Sequence, residues 1–336
     1  MTKSFTTLND VAQAAGMSRA QVSRALRGDP GVRPETRKRI DEIAAQLDYH
    51  PNLAARSLVS SRSSIVGLVI GDPNNPFHIQ LAQCVDRQLL ASGFDPVTSL
   101  RSVENGSEIF EADRLLRLRA AGVILLGTAH TPEAIGEIAE KLPCVYLGNK
   151  RIFHPQVTAI AVDDEAGVRQ AMDHLFALGH RRIAHLGGAR EASARERTRL
   201  YCAVMREAGL EPFYLRGTHT AAFGRQGVDA LFADPNPPSA IFAANDFIAL
   251  GVIDRLKGMG LSVPEDVSVI GFDDIPDAQN EVFSLSTLRQ DTQSQARAAV
   301  ASLQAIIAGK QDRVRRHIMP VELILRRSTT AFTPLP

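Results

Sequence analysis

An all-α helix-turn-helix head followed by an α/β body, two-lobed and built on parallel sheets, is the fold class the sequence predicts, and three observations predict it. Two short helical patterns parted by a Gly-centred turn, then a third helix, occupy the first fifty residues. From residue 65 onward, apolar runs of four to six residues alternate with helical stretches, as parallel strands covered on both faces do. At 336 residues the chain is also too long for one ordinary core.

In the head, Thr7 with Asp10 predicts a helix N-cap, after which Leu8, Val11, Ala12 and Ala15 recur at helical spacing until Gly16 stops the helix. Ser18 caps a second helix with Val22, Ala25 and Leu26 facing inward. Gly28-Asp29-Pro30-Gly31 reads as a turn. Arg33-Pro34-Glu35 opens a third helix that buries Ile40, Ile43, Ala44 and Leu47. Arg19, Ala20, Gln21 and Arg24 fall off the apolar stripe of the second helix, the one expected in a major groove. Arg can bond guanine twice, while Gln21 and Ser23 can reach adenine or phosphate. A small helical bundle with a solvated Arg face is the bland alternative.

Charge agrees with a phosphate-binding head. Residues 1–62 carry ten Lys/Arg against six acids, whereas the rest of the chain holds 28 basic and 31 acidic side chains. Cys84, Cys144 and Cys202 are odd in number and far apart, which predicts buried reduced thiols in a cytoplasm instead of a disulfide framework or zinc site. No apolar run of about 18 residues appears, so no membrane span is expected. Nor does MTKSFTTLNDVAQ have the pattern of a secretion signal.

In the body the expected strands are 65–70, 122–126, 144–147, 159–162, 182–186, 240–243 and 267–270, with a last one near His317–Leu325. Helical patterns lie at 77–91, 165–178, 247–257 and 293–308. Ligands in such folds bind at the strand ends, in the cleft between lobes. No Gly-x-Gly-x-x-Gly after a strand, P-loop, His-Glu-x-x-His or Gly-x-Ser-x-Gly occurs, so neither an enzyme nor a cofactor is expected. Gly187-Gly188 reads as a tight turn or a ligand approach. His174, His180 and His185 are too unevenly spaced for a metal cluster, and His180 reads as a helix-end residue bonded to backbone.

The head resembles the lactose-repressor/galactose-repressor family throughout its length. The shared elements are Leu8-x-Asp10-Val11-Ala12, Gly16-Met17-Ser18, Val22-Ser23-Arg24, Val32 with Thr36-Arg37, Leu47-x-Tyr49-x-Pro51-Asn52 and Ala55-Arg56-Ser57-Leu58. Arg33 departs from the small capping residue usual there. The resemblance implies that Arg19, Ala20 and Arg24 read the operator, with Ser18, Gln21 and Ser23 beside them. It also implies that Asn52 to Leu58, including Ala55, form a hinge helix. Seven residues are too few for a stable isolated helix, so this one would order on DNA. Leu58 would wedge between base pairs from the minor groove, the alternative being a Leu packed on the next domain.

The body is similar to the same family and, through it, to periplasmic sugar-binding proteins. Gly67-Leu68-Val69-Ile70 with Asn75-Pro76-Phe77, the run Leu178 to Ala184, Ala243-Ala244-Asn245-Asp246 and Gly271-Phe272-Asp273-Asp274 carry the likeness. It implies effector contacts at Phe77, His78, Arg197, Asn245 and Asp273, with His219 where an aromatic ring often covers the ligand. Individually, Asn245 could simply cap a helix and Arg197 could belong to a surface charge run. Their chemistry suits a polyhydroxylated ligand, since Asp273 accepts from hydroxyls, Asn245 donates and accepts, and Arg197 makes a forked contact. Leu200 replaces a usual Gly, and Gly148-Asn149 stands where many members have an Asp-containing pair, which points to a different sugar or an acidic ligand.

The domains expected are 1–50 for the head, 51–64 for hinge and linker, and 65–330 for the effector-binding and dimerisation body. The first lobe would take about 65–162 and 290–325, the second about 163–289. The implied function is a cytoplasmic, homodimeric transcription regulator of the repressor kind, binding a pseudo-palindromic operator and switched by a small metabolite, a sugar or its derivative. A global regulator governed by a protein partner, a transport receptor and an enzyme using the cleft are the alternatives. The tail RRSTTAFTPLP has no heptad repeat to support a coiled-coil tetramer.

Overall fold

The computed structural model describes residues 6–49, 63–100, 108–127, 131–188, 191–310 and 315–333. The chain divides into two compact units, Met1–Ser63 and Ser64–Pro336.

The first unit holds α1 (Leu8–Ala15), α2 (Arg19–Leu26) and α3 (Pro34–Gln46). Helices of eight residues do not persist alone in water, so caps and a shared core sustain the first two. The Thr7 hydroxyl accepts from the Asp10 N–H, and the Asp10 carboxylate accepts from the Thr7 N–H at 2.7 Å. Gly16, at φ 66°, ends α1 in the left-handed region that favours glycine. Ser18 and Gln21 make a second reciprocal box at the start of α2. Arg33 gives α3 no side-chain cap, and Pro34 in the first turn supplies a pre-set φ instead. Val11, Ala12, Ala15, Val22, Ala25, Ile40 and Ala44 form the core. Leu26, Ile43 and Leu47 are only half-buried at its rim.

The second unit begins with β1 (Ile65–Ile70), α4 (Pro76–Ala91), β2 (Asp95–Leu100), α5 (Glu108–Arg117), β3 (Gly122–Leu126), α6 (Pro132–Lys141), β4 (Cys144–Leu147) and β5 (Val157–Val162). It crosses into a second lobe with α7 (Asp164–Ala177), β6 (Ile183–Gly188), α8 (Ala192–Glu207), β7 (Phe213–Gly217), α9 (Ala221–Phe232), β8 (Ala240–Ala243), α10 (Asp246–Gly258), β9 (Ser268–Asp273) and β10 (Ser286–Gln290). Helix α11 (Thr292–Ile307) and β11 (Arg316–Met319) return to the first lobe, and β12 (Val321–Ile324) goes back to the second.

Each lobe carries one sheet, ordered β2-β1-β3-β4-β5-β11 and β7-β6-β8-β9-β10-β12. The two orders are the same pattern repeated. All neighbouring strands run parallel except β10 and β12, which are antiparallel. The central strands β1, β3, β4 and β8 are buried throughout, which is why they show as continuous apolar runs. In each lobe the first strand sits between the second and third, so the order reverses there, where such sheets bind ligands.

Two expectations about the C-terminal part need correction. The range 290–325 does not belong wholly to the first lobe, because Gln290 ends β10 and 321–324 pair with β10 in the second sheet. The stretch His317–Leu325 is not one strand. Pro320 parts it into β11 and β12, since a residue without an N–H cannot carry a ladder onward. The Asp163 N–H donates to the Met319 carbonyl at 2.9 Å, so two of the three crossings between lobes lie side by side. Cys84, Cys144 and Cys202 are buried and free. Among the described residues, no helix is long and apolar enough to cross a membrane.

Candidate functional site

On α2, the residues expected to meet DNA lie on the face turned away from the core. Arg19, Ala20, Gln21 and Arg24 are exposed, as is the capping Ser18, while Ser23 is half-buried. Several of them already have partners. The Gln21 Oε1 accepts from the Ser18 N–H at 3.1 Å, and the Ser23 hydroxyl accepts from Arg27 Nη1 at 2.6 Å. The sequence reading overlooked Arg27 and Asp29. Asp29 takes Arg27 Nη2 at 2.9 Å and Arg24 Nε at 3.8 Å, and the Arg27 bond holds its carboxyl below the ordinary range. Asn52, Ala55 and Leu58 lie outside the described residues.

In the body, Phe77, His78, Arg197, His219, Asn245 and Asp273 line a single cavity of about 380 Å³. They come from the carboxyl ends of strands or the helix turns that follow, in both lobes. Arg197 on α8 is not part of a surface charge run, for its side chain is 3% exposed. Its Nε donates to Asp164 Oδ1 at 2.8 Å and its Nη1 to the Ala244 carbonyl at 2.6 Å. Asp273 Oδ1 lies 3.6 Å from the same Nη1. The guanidinium also lies over the Phe272 ring, 3.4 Å from its centroid.

Asp273 ends β9 at φ 125°, and Asp274 follows at φ 58°. Two consecutive non-glycine residues at positive φ are strained, and strain of this kind gathers at functional sites. Surrounding contacts hold both in place. Asp273 accepts from Gln290 Nε2 at 2.6 Å, and Asp274 is clamped by Arg326 at 2.6 Å and Arg289 at 2.7 Å. Burial pushes the Asp273 carboxyl up to about 8 against the opposing pull of Arg197.

Asn245 does cap a helix, since its Oδ1 accepts from the Ile248 N–H at 3.0 Å. Its Nδ2 is nonetheless buried with no partner, as is Nε2 of His219. Desolvation holds His219 down at about 3. His78, on α4, is bound through Nδ1 to the Asp72 carbonyl at 3.2 Å, and burial lowers it too. A Cβ at Gly127 would strike the His78 ring, so the loop after β3 needs glycine there. Gly188, at the end of β6, meets His219 and Ala194 in the same way, whereas Gly187 meets Thr198 and His185 away from the cavity.

The sequence reading missed Asp164, Glu191, Asp72 and Gln290. Asp164 is 5% exposed and bonds both Arg197 and the Nδ2 of Asn149. The acid lacking at Gly148-Asn149 is thus supplied from the start of α7. An Asp163-Asp164 pair at a strand's carboxyl end was the only local signal for it. His180 is bound to the Thr330 carbonyl at 3.0 Å and also to the Ser239 and Ser268 hydroxyls, away from the cavity.

A helix-turn-helix unit in one chain with a two-lobed, cleft-bearing α/β unit defines the class of ligand-responsive DNA-binding regulators. Residues 7–52 match the family model for bacterial regulatory proteins of the lacI family, and residues 172–329 that of the periplasmic binding protein-like domain. A probable HTH-type transcriptional repressor, ExuR of Bacillus subtilis, is 29% identical over 334 residues, covering 97% of this chain and 99% of that protein. The HTH-type transcriptional regulator CelR of Thermobifida fusca is 30% identical over 334 residues, covering 96% and 98%. The solved lac repressor dimer, bound to operator and the anti-inducer ONPF, superposes with a TM-score of 0.85 at 27% identity, covering 98% of this chain and 100% of that one. A CelR–cellobiose complex gives 0.70 at 28% identity, covering 96% and 99%. The chain belongs to the lacI family and is a DNA-binding transcription regulator.

Proposed function

We propose that this chain is a cytoplasmic repressor that binds a pseudo-palindromic operator as a homodimer and releases or tightens its hold when a carbohydrate fills the cavity between the lobes. The observation that carries the reading is the convergence of six separated positions on one cavity of about 380 Å³, a volume within the range of about 300–1,000 Å³ usual for small-molecule sites. Buried polar atoms without partners there (Asn245 Nδ2, His219 Nε2 and Glu191 Oε2) are what a hydroxyl-rich ligand would satisfy. The lac repressor dimer on its operator and cellobiose bound to CelR support the DNA, dimer and sugar parts.

Arg197 at the cavity is held in place by Asp164 and the Ala244 carbonyl, an arrangement suited to sensing and not to turnover. A ligand touching both lobes alters their relation at the crossings near 163, 291 and 320. Coupling to DNA of about 1–3 kcal/mol is typical of such switches and must be reciprocal. Asn52, Ala55 and Leu58 would form the hinge that passes it on.

Isothermal titration of the full chain against a sugar panel, followed by operator binding with and without the best binder, tests the reading. A sugar that binds and shifts operator affinity is expected, with Asp273→Asn losing that shift while still binding operator. A full response in Asp273→Asn would move the site elsewhere.

A further inference from the structure

Resting on the carbohydrate reading above, the charge class of the effector follows from how the cavity's ions are matched. A carboxylate or phosphate ligand needs a cation left unmatched for it, because buried charges are tolerated when paired. Arg197 is no such cation, since the Asp164 carboxylate already pairs with it at 2.8 Å. Asp72 and Glu191 add two more acids to the lining, both near enough to His78 to act on its charge. Lys150, half-buried and shared with the adjoining opening, is the other Lys/Arg of the lining. The adjoining opening brings Arg151, Arg195, Arg199 and Arg316, yet Asp163, Glu165 and Glu196 share it, and Arg199 is bound to Glu196 at 2.7 Å.

Glu191 occupies the N-cap position of α8 without capping it. Its Oε2 is buried and has no partner among the described residues. The same cavity holds the unpartnered Nδ2 of Asn245 and Nε2 of His219, residues that are 1% and 7% exposed. The cavity therefore offers an acceptor at Glu191 together with a donor at Asn245, and a hydroxyl can answer either. A carboxylate can only accept, and it would meet Glu191 with like charge.

We propose that the cavity takes an uncharged polyhydroxylated compound, that Glu191 accepts from one of its hydroxyls while Asn245 and His219 bond its oxygens, and that Glu191 with Asp72 excludes the corresponding acid. Glu191 is then the specificity-determining residue.

Calorimetric titration of the full chain with glucose, galactose and cellobiose, each paired with glucuronate, galacturonate and cellobionate, tests this. The expected result is a neutral member that binds at least about tenfold more tightly than its acid, a modest demand on one like-charge contact. Glu191→Gln, which keeps the shape and removes the charge, should shrink that gap several-fold, and Asp72→Asn should do so independently. An acid binding more tightly than its neutral partner, or a gap unchanged in both variants, overturns the selection while leaving the carbohydrate cavity standing. Binding by no member of either set would defeat the carbohydrate reading itself, and this one with it.

Discussion

Arg19, Ala20 and Arg24 on α2 stand exposed at the edge of a small core, whereas Arg197, Asn245 and Asp273 in the body are each at most 4% exposed and are tied into the fold around them. The outward face contributes little to folding, so its residues can follow a target sequence at small cost in stability. The inward set is structural and functional at once, because Arg197 offsets buried carboxylates while shaping the cavity. A change there should cost folding and binding together, and a change at Arg19, Ala20 or Arg24 should cost binding alone.

The most severe test is Arg197→Met, which leaves the Asp164 carboxylate buried without its cation. Breaking a buried pair in this way costs about 3–5 kcal/mol, so urea unfolding should show a loss of that order along with loss of effector binding. A loss under about 1 kcal/mol, the scale of an exposed pair, would erase the contrast between the two regions.

A pH series sharpens it next. Burial raises Asp273 to about 8 in the folded chain, so between the ordinary carboxyl range and pH 8 the native state keeps a proton that the unfolded state has lost. Stability contributed by this group therefore falls as pH rises through that window, by up to about 1.4 kcal/mol per pH unit. His185 and His219, both held down at about 3 from an ordinary 6.5, act in the opposite sense and make the fold lose stability as pH drops below 6.5. His78, His174 and His180 are lowered in the same sense, so the Asp273 effect stands clear only between about pH 7.5 and 8, where a free imidazole has given up its proton. Denaturation midpoints should decline across this interval in the parent and stay level in Asp273→Asn, whose Asn tolerates positive φ; an equal decline in both would remove Asp273 as the cause.

On the head, Arg24→Ala should weaken operator binding by about 1–3 kcal/mol and relax base preference, with stability unchanged to within about 0.5 kcal/mol. Fluorescence anisotropy on operator and random duplexes reads the first, and urea unfolding the second; equal loss on both duplexes would deny a base-reading role. The smallest effect belongs to Ser18→Ala, which removes the α2 cap and should cost about 1 kcal/mol of head stability. Thermal melting of the full chain, followed by helix signal, checks it.

Legibility divides along the same line. Thr7, Gly16 and Ser18 announce the ends of α1 and α2 because caps are satisfied by neighbours three residues away. The strands β1, β3, β4 and β8 were legible as apolar runs because both their faces are covered. The edge strands β2 and β7 were not, since half-exposed strands carry polar residues such as Arg216, and β11 and β12 were legible only as one undivided strand. Strand β10 escaped for a different reason: Ser286, Thr287 and Gln290 are buried, but each has a hydrogen-bonding partner from another segment. The six cavity positions came from family resemblance and not from periodicity. Asp164, Glu191, Asp72 and Gln290 stayed hidden.

The sequence by itself determined the helix-turn-helix head, the alternation that makes the body α/β, and the family, because caps, turns and periodicity act over a few residues of chain. Only the tertiary structure decided that Asp164 meets Arg197, that Asn149 stands beside an acid supplied by α7, and that Pro320 hands the last strand to the other lobe. Charges and hydrogen bonds act over a few ångströms of space, so their partners exist only once the fold has brought distant segments together.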